Sequence, residues 1–132
     1  MKIAVVTDDG MIISQHFGRA QYYAVATVED NRIVSIEMRE KMGHADFGKE
    51  DHSASSDPRG HGFDAGAQSR HARMLDAVSD CQVLITRGMG TGAYESIRAA
   101  SIRPIVTDVV TIMEAVRAYL DGTLVDHTER LD

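Results

Sequence analysis

The chain has 132 residues, a formal net charge of −6 and 43% hydrophobic residues. This length predicts one domain with an ordinary core, and the composition is typical of a soluble globular protein. The acidic balance argues against a protein that mainly binds nucleic acid, because such binding depends on clustered Lys and Arg. The sequence shows neither a membrane span nor a secretory signal, so we expect no membrane contact and a cytoplasmic location.

The N-terminal part predicts three strands joined by short connections. The apolar run of residues 3–7 ends at Asp8-Asp9-Gly10, which is typical of a buried strand followed by a turn. Tyr22–Val28 is rich in aromatic and β-branched residues, and Arg32–Arg39 alternates apolar and polar side chains as a half-buried strand does. Short connections favour an antiparallel meander, because parallel neighbours need a longer crossover.

Residues 40–66 form a long stretch dominated by Gly, Ser, Asp and His. A loop of this length in a small domain is usually functional or disordered. His44, His52 and His61 share it with several aspartates, a composition that suits Zn, Ni or Cu, although no spacing matches a structural zinc site. A solvated loop is the simpler interpretation, and a divalent-metal-binding or regulatory interaction module is the alternative.

The second half of the chain alternates helix and strand. The predicted elements are a helix over residues 67–78, strand Val83–Thr86, a helix through Tyr94 and Ile97, strand Pro104–Thr107 and a last helix. Thr111 and Glu114 have the capping-box spacing at the start of that last helix, and Gly122 suits its end. Residues 1–122 are expected to form the domain and residues 123–132 a frayed tail. The resulting order predicts an α/β fold with helices on the faces of one mixed sheet.

The strand directions bring several features to one edge of the sheet. Strands one, three, four and five are predicted to run the same way, and ligands bind at the shared C-terminal edge in open α/β sheets. We call this edge the carboxyl rim. The features expected there are the loop 8–21 with His16, the loop 40–66, the glycine loop 88–92, Asp108 and, nearby, His71. Cys81 precedes strand four at the opposite end, ~16 Å from the glycine loop, so this single thiol is a poor ligand candidate.

Two stretches at the carboxyl rim have binding chemistry. Gly88-Met89-Gly90-Thr91-Gly92 lies between a strand and a helix, where backbone N–H groups can bind an anion. A tight turn and a weak dinucleotide fingerprint are the alternatives for this loop. In Ser14-Gln15-His16-Phe17-Gly18-Arg19, an imidazole can ligate a metal and a guanidinium can pair with an anion. His16 alone would be an ordinary loop histidine, but its neighbours and the shared rim favour a function.

Other interpretations stay open from the residues themselves. Asp8, Asp9 and Asp108 follow strands and suit a carboxylate metal site of a nuclease or phosphohydrolase, although all three also suit turns. His71 lies on the apolar face of its helix, where a hydrogen-bonded core histidine and a metal ligand are both reasonable.

Three motifs together resemble a known family: Met1-Lys2-Ile3-Ala4-Val5, Ser14-Gln15-His16-Phe17-Gly18-Arg19 and Leu84-Ile85-Thr86-Arg87-Gly88-Met89-Gly90. The chain resembles the dinitrogenase iron–molybdenum cofactor biosynthesis family, the NifX/NifY-like proteins. The resemblance implies a ribonuclease H-like fold without nuclease carboxylates, with five strands in the order 3-2-1-4-5 and strand two antiparallel. It also implies non-catalytic carriage of an iron–molybdenum cofactor or its iron–sulfur precursor. The orange protein of sulfate reducers, which is similar, implies a molybdenum–copper sulfide as another cargo.

This resemblance implies a cluster site at the carboxyl rim. His16 corresponds to the histidine on the ligand side, and Gly88 and Gly90 correspond to the backbone loop. Together with the chemistry of the two rim stretches, this predicts the cofactor-binding residues His16, Phe17, Gly18, Arg19, Arg87, Gly88, Met89 and Gly90. The metal ligands considered are His16, His71 and His61. The partners implied are proteins that donate and accept the cluster, without nucleic acid and without a catalysed reaction.

Overall fold

The structure, a computed structural model, describes residues 1–41 and 72–131. Its five strands form one mixed sheet in the order β3-β2-β1-β4-β5. The strands are β1 (Lys2–Thr7), β2 (Tyr22–Glu29), β3 (Arg32–Glu40), β4 (Val83–Thr86) and β5 (Arg103–Val106). β2 is antiparallel to β1 and β3, whereas β4 is parallel to β1 and β5. The mixed α/β fold, its strand order and the reversed second strand are therefore confirmed.

In the described part of the chain, three α-helical segments accompany the sheet: α1 (residues 72–76), α2 (Thr91–Ala99) and α3 (Ile112–Asp121). The Tyr23 hydroxyl donates to the carbonyl oxygen of Met74 at 2.9 Å and so ties α1 to one face of the sheet. The predicted helix over residues 67–78 is confirmed from residue 72 to 76, and its first residues lie outside the described part. No helix within residues 1–41 and 72–131 is long and apolar enough to cross a membrane.

The ends of α3 have the chemistry that the sequence predicts. The Glu114 amide donates to the Thr111 side chain, and the Thr111 hydroxyl donates to the Glu114 carboxylate at 2.9 Å. Gly122 ends the helix with φ 76°, a left-handed conformation that glycine adopts without steric cost. Both the capping box and the terminal glycine are therefore confirmed.

β1 forms the centre of the core, and the carboxyl rim begins where it ends. Ile3, Ala4, Val5 and Val6 have no exposed surface, because β2 and β4 flank them in the sheet. Burying each larger aliphatic side chain contributes about 1.5–3 kcal/mol to folding. The strand that positions the loop 8–21 is therefore firmly held.

β3 is less buried than its alternating pattern predicts. Val34, Ile36 and Met38 are 57%, 40% and 47% exposed. β3 is an edge strand, and its register against β2 shifts between Thr27 and Val28. The alternation therefore predicts the strand correctly, but its apolar side chains stay largely in contact with solvent.

The C-terminal tail is bonded to β5, so the expectation that it frays is wrong. The His127 amide donates to the carbonyl oxygen of Val106 at 2.7 Å. The Val106 amide in turn donates to the carboxylate of Asp126 at 3.0 Å. A short 3-10 helix, Thr128–Arg130, follows. The tail thus satisfies polar groups on an edge strand, which would otherwise be open to other chains.

Candidate functional site

The loop after β1 and the loop after β4 are joined at the carboxyl rim by main-chain hydrogen bonds. The Phe17 amide donates to the carbonyl oxygen of Gly88 at 2.9 Å, and the Arg87 amide donates to that of Ser14 at 3.3 Å. A Cβ on Gly88 would lie 2.5 Å from the carbonyl oxygen of Gln15, so this approach requires a glycine. The two stretches that the sequence analysis placed at one edge are therefore in direct contact.

Local hydrogen bonds shape the turn that carries His16. The Ser14 hydroxyl accepts from the His16 amide at 3.3 Å and donates to the His16 carbonyl oxygen at 3.2 Å. That carbonyl oxygen also accepts from the amides of Arg19 and Ala20, both at 3.2 Å, and a 3-10 helix, Phe17–Arg19, follows. The backbone of His16 is thus fixed while the residue itself is exposed.

A buried lysine anchors the same turn from beneath. Lys41 is 3% exposed, and its ammonium lies 4.4 Å from the centroid of the Phe17 ring, itself 2% exposed. The ammonium donates to the carbonyl oxygens of Phe17 and, at 3.2 Å, of Ala20. Burial lowers the pKa of Lys41 to about 8, and the Asp8 carboxylate acts in the opposite direction. Sequence reasoning missed Lys41, because Glu40-Lys41 at a strand end looks like an ordinary pair of surface charges.

In the loop after β4, the backbone rather than the side chains is available to bind a ligand. Met89 is 3% exposed and packs in the core. The Thr86 hydroxyl donates to the Gly88 carbonyl oxygen at 2.9 Å and accepts from its amide at 3.3 Å, which shapes the turn. Gly90 precedes α2 without a side-chain cap, and a Cβ there would meet no atom of residues 1–41 or 72–131 within 4 Å. The start of α2 is the positive end of its helix dipole, which favours an anion nearby.

Two arginines add positive charge beside these loops. Arg19 is exposed at the end of the 3-10 helix, and Arg87 is half-buried at the start of the glycine loop. Guanidinium groups present paired N–H donors to anions and remain charged at any physiological pH. The carboxyl rim therefore combines an imidazole, two guanidinium groups and an uncapped helix start.

The three aspartates considered as a carboxylate metal site have separate structural roles. The Asp8 carboxylate accepts from the Gln21 amide at 2.9 Å. Asp9 accepts from two amides of its own turn, each at 2.9 Å, and these bonds lower the pKa of Asp9. Asp108 lies 3.6 Å from His127 Nε2. Within residues 1–41 and 72–131, no three His, Cys, Asp or Glu side chains are grouped as metal ligands, Asp8, Asp9 and Asp108 included.

The remaining predicted residues divide into three sets. His61 and His71 lie outside the described residues, as does nearly all of the loop 40–66. Phe17 and Met89 are core residues, so their side chains support the rim instead of facing a ligand. Cys81 is 4% exposed, and burial raises the pKa of its thiol to about 11. Because the thiolate is the form that binds metals, this environment agrees with the low rank given to Cys81.

A protein family and several solved structures match this chain. The family model described as "Dinitrogenase iron-molybdenum cofactor" matches residues 1–122. The crystal structure of PH0822 has a TM-score of 0.67 at 19% identity and covers 98% of each chain. The apo orange protein from Desulfovibrio gigas has a TM-score of 0.65 at 19% identity, covering 96% of this chain and 92% of that one. No significant match is found among curated proteins. At such identities the structural matches establish the fold.

Proposed function

The chain belongs to the dinitrogenase iron–molybdenum cofactor family, and on this premise we propose that it binds and carries an anionic metal–sulfur cluster at the carboxyl rim. The cargo is an iron–molybdenum cofactor, a precursor of it, or a molybdenum–copper sulfide. The role is carriage between a donor and an acceptor protein rather than catalysis. In this proposal the binding surface consists of the exposed residues His16, Gly18 and Arg19 and the half-buried residues Arg87, Gly88 and Gly90.

The observation that carries the proposal is the contact between the two loops. The bond from the Phe17 amide to the Gly88 carbonyl oxygen places the neighbour of His16 against the glycine loop. One surface then offers an imidazole, which can ligate a borderline metal, and backbone N–H groups, which can donate to sulfides. Since Lys41 already fixes the turn, binding requires little ordering of the protein, and a small ordering cost favours affinity.

Local charge supports an anion here despite the net charge of −6. At physiological ionic strength the Debye length is ~8 Å, so distant carboxylates are largely screened. Arg19 and Arg87 flank the contact, and the Lys41 ammonium lies beneath Phe17. Asp8 and Asp9 belong to the same loop, but their carboxylates accept backbone hydrogen bonds. The three cations Arg19, Arg87 and Lys41 therefore outnumber the two carboxylates of the loop near the site that a bound cluster would occupy.

Reconstitution of the full chain tests the proposal. Apoprotein is mixed anaerobically with thiomolybdate and copper, or with an extract containing iron–molybdenum cofactor, and is then desalted. We expect visible charge-transfer bands and metal to remain with the protein. His16→Ala should remove or shift the bands, whereas His127→Ala, which also deletes one imidazole, should match the wild type. Bands unchanged in His16→Ala would overturn the role of His16, and no retained metal from either source would overturn cluster carriage.

A further inference from the structure

A groove separate from the carboxyl rim lies beside the edge strand β5. Its volume is about 380 Å³, within the range of small-molecule sites, which is roughly 300–1,000 Å³. Its polar lining comes from α2, the turn after it, the first residue of β5 and the tail. These lining residues are Tyr94, Arg98, Ser101, Arg103 and Asp126. Neither His16 nor the glycine loop contributes to it.

Within residues 1–41 and 72–131, the two arginines of the groove have no carboxylate partner. Arg98 and Arg103 are exposed, and the ion pairs among the described residues use other cations instead. The Arg98 guanidinium lies 5.9 Å from the centroid of the Tyr94 ring. The chain carries 20 acidic and 14 basic residues, so carboxylates are plentiful as partners. Two guanidinium groups in one groove without a carboxylate partner in the described part of the chain therefore indicate a site that receives its negative charge from a ligand.

Ser101 adds a hydroxyl at a position where the backbone favours glycine. Its φ is 64°, in the left-handed region that side chains other than glycine rarely adopt. The position directly follows the residue that caps the C-terminus of α2, where glycine is the usual choice. A serine that is unfavourable for the backbone, yet lines the groove, suits a hydroxyl that binds a ligand.

Asp126 restricts the kind of anion that fits. The Val106 amide donates to its Oδ1 at 3.0 Å, which orients the carboxylate in the groove wall. A carboxylate repels a bare anion but accepts hydrogen bonds from hydroxyl groups. We propose that the groove binds a phosphate monoester that carries hydroxyl groups, with Arg98, Arg103 and Ser101 on the phosphate and Asp126 on the hydroxyls. A sugar phosphate and a nucleotide share this chemistry.

Calorimetric titration of the full chain tests the proposal with four probes: ribose 5-phosphate, AMP, ribose and inorganic phosphate. Ribose 5-phosphate or AMP should bind saturably at one site, and ribose and inorganic phosphate at least tenfold more weakly. Tighter binding of AMP would support a nucleotide stacked near Tyr94, whereas tighter binding of ribose 5-phosphate would support a sugar phosphate. Equal binding of inorganic phosphate, or no saturable binding of either ester, would overturn the proposal.

Three variants and one control locate the site. Arg98→Gln and Arg103→Gln should each weaken binding about tenfold, as expected for the loss of one charge-assisted interaction. Arg117→Gln removes the same charge from an exposed position on α3 and should bind like the wild type. Ser101→Gly should raise the Tm by about 3 °C because it relieves the backbone, and yet weaken binding severalfold. Equal weakening in Arg117→Gln, or wild-type affinity in Ser101→Gly and both arginine variants, would overturn the assignment.

Discussion

The carbonyl oxygen of Gln15 lies 2.5 Å from the point where a Cβ on Gly88 would stand. The atom that blocks this Cβ belongs to the main chain, so no rotamer change can relieve the conflict. The same two loops share the bond between Phe17 and Gly88. The surface that carries His16 is therefore built by two segments that hold one another in place.

This relationship predicts opposite outcomes for two alanine substitutions in one loop. Gly88→Ala forces the backbone apart and should lower the free energy of unfolding by about 1–3 kcal/mol, as overpacking does. It should also weaken retention of a metal–sulfur cluster. Gly90→Ala meets nothing within 4 Å and should cost less than about 1 kcal/mol. Urea unfolding of both variants checks the prediction, and equal stabilities would contradict the close approach.

The buried ammonium of Lys41 predicts a stability that rises with pH in the alkaline range. Burial lowers its pKa from the ordinary 10.5 to about 8. Between these values the unfolded chain binds more protons than the folded one, so this group adds stability as the pH rises from about 8 to 10.5. Complete deprotonation of Lys41 removes the cost of burying its charge. This cost is about 3 kcal/mol, because a shift of one pKa unit corresponds to about 1.4 kcal/mol.

The measurement compares the free energy of unfolding of the wild type and Lys41→Met from pH 7 to 10.5. The difference between them isolates Lys41, because the other groups titrate in both proteins. We expect the wild type to gain on the variant as the pH rises. Lys2→Met, which removes a lysine at the sheet surface, should keep the wild-type rise. A constant difference between the wild type and Lys41→Met would show that Lys41 does not titrate in this range.

The ion pair between Arg39 and Asp80 predicts a loss of stability in acid. Arg39 donates to both oxygens of Asp80, at 2.7 and 3.1 Å, and to the carbonyl oxygen of Ala77 at 2.8 Å. The guanidinium holds the pKa of Asp80 well below its ordinary value of 3.8. The ion pair therefore stabilises the folded protein above about pH 4, and this stabilisation is lost as the pH falls further. Because the Asp80 side chain is 46% exposed, the pair is worth about 1 kcal/mol.

Asp80→Asn should accordingly destabilise the protein at pH 7 and converge with the wild type near pH 2. A double-mutant cycle with Arg39→Gln measures the coupling between the two side chains. Asp121→Asn, at the exposed end of α3, provides the matched control and should change little at either pH. A coupling energy near zero at pH 7 would contradict the pairing.

Local patterns were sufficient to predict the strands, their relative directions and the ends of α3, whereas the strand order was implied by the family resemblance. Apolar runs, turn residues and capping residues act within a few positions, and connection lengths limit which strands can pair. Thr111, Glu114 and Gly122 are clear cases, since each makes its contact within its own helix. The sharing of one rim by the two loops also follows from strand direction alone.

The supports of that rim could not be predicted, because they depend on contacts distant in the chain. Lys41 lies against the Phe17 ring and donates to two carbonyl oxygens, and no local period marks it as a core residue. The tail gives a similar case. Asp126 and His127 show no pattern of their own, but the open edge of β5 provides hydrogen-bonding partners for them. Tertiary contacts thus decided the positions that sequence patterns left undetermined.

Cys81 provides the last prediction, which separates the thiol from cluster binding. The residue precedes β4 at the end opposite the glycine loop, and burial, followed by the Asp80 carboxylate, raises the pKa of its thiol from 9.0 to about 11. At pH 8 the thiolate fraction is then about a hundredfold smaller than in the unfolded chain, so alkylation of the native protein should be slower by at least that factor.

The test follows iodoacetamide labelling of native and urea-unfolded protein by mass spectrometry, together with the cluster spectrum of Cys81→Ala. The variant should retain the charge-transfer bands that His16→Ala loses. Rapid labelling of the native thiol would contradict its burial, and loss of the bands in Cys81→Ala would place the cluster away from the carboxyl rim. His16 lies at the carboxyl rim and Cys81 at the opposite end of the sheet. Therefore only His16→Ala can remove a direct contact with a cluster that is bound at the rim.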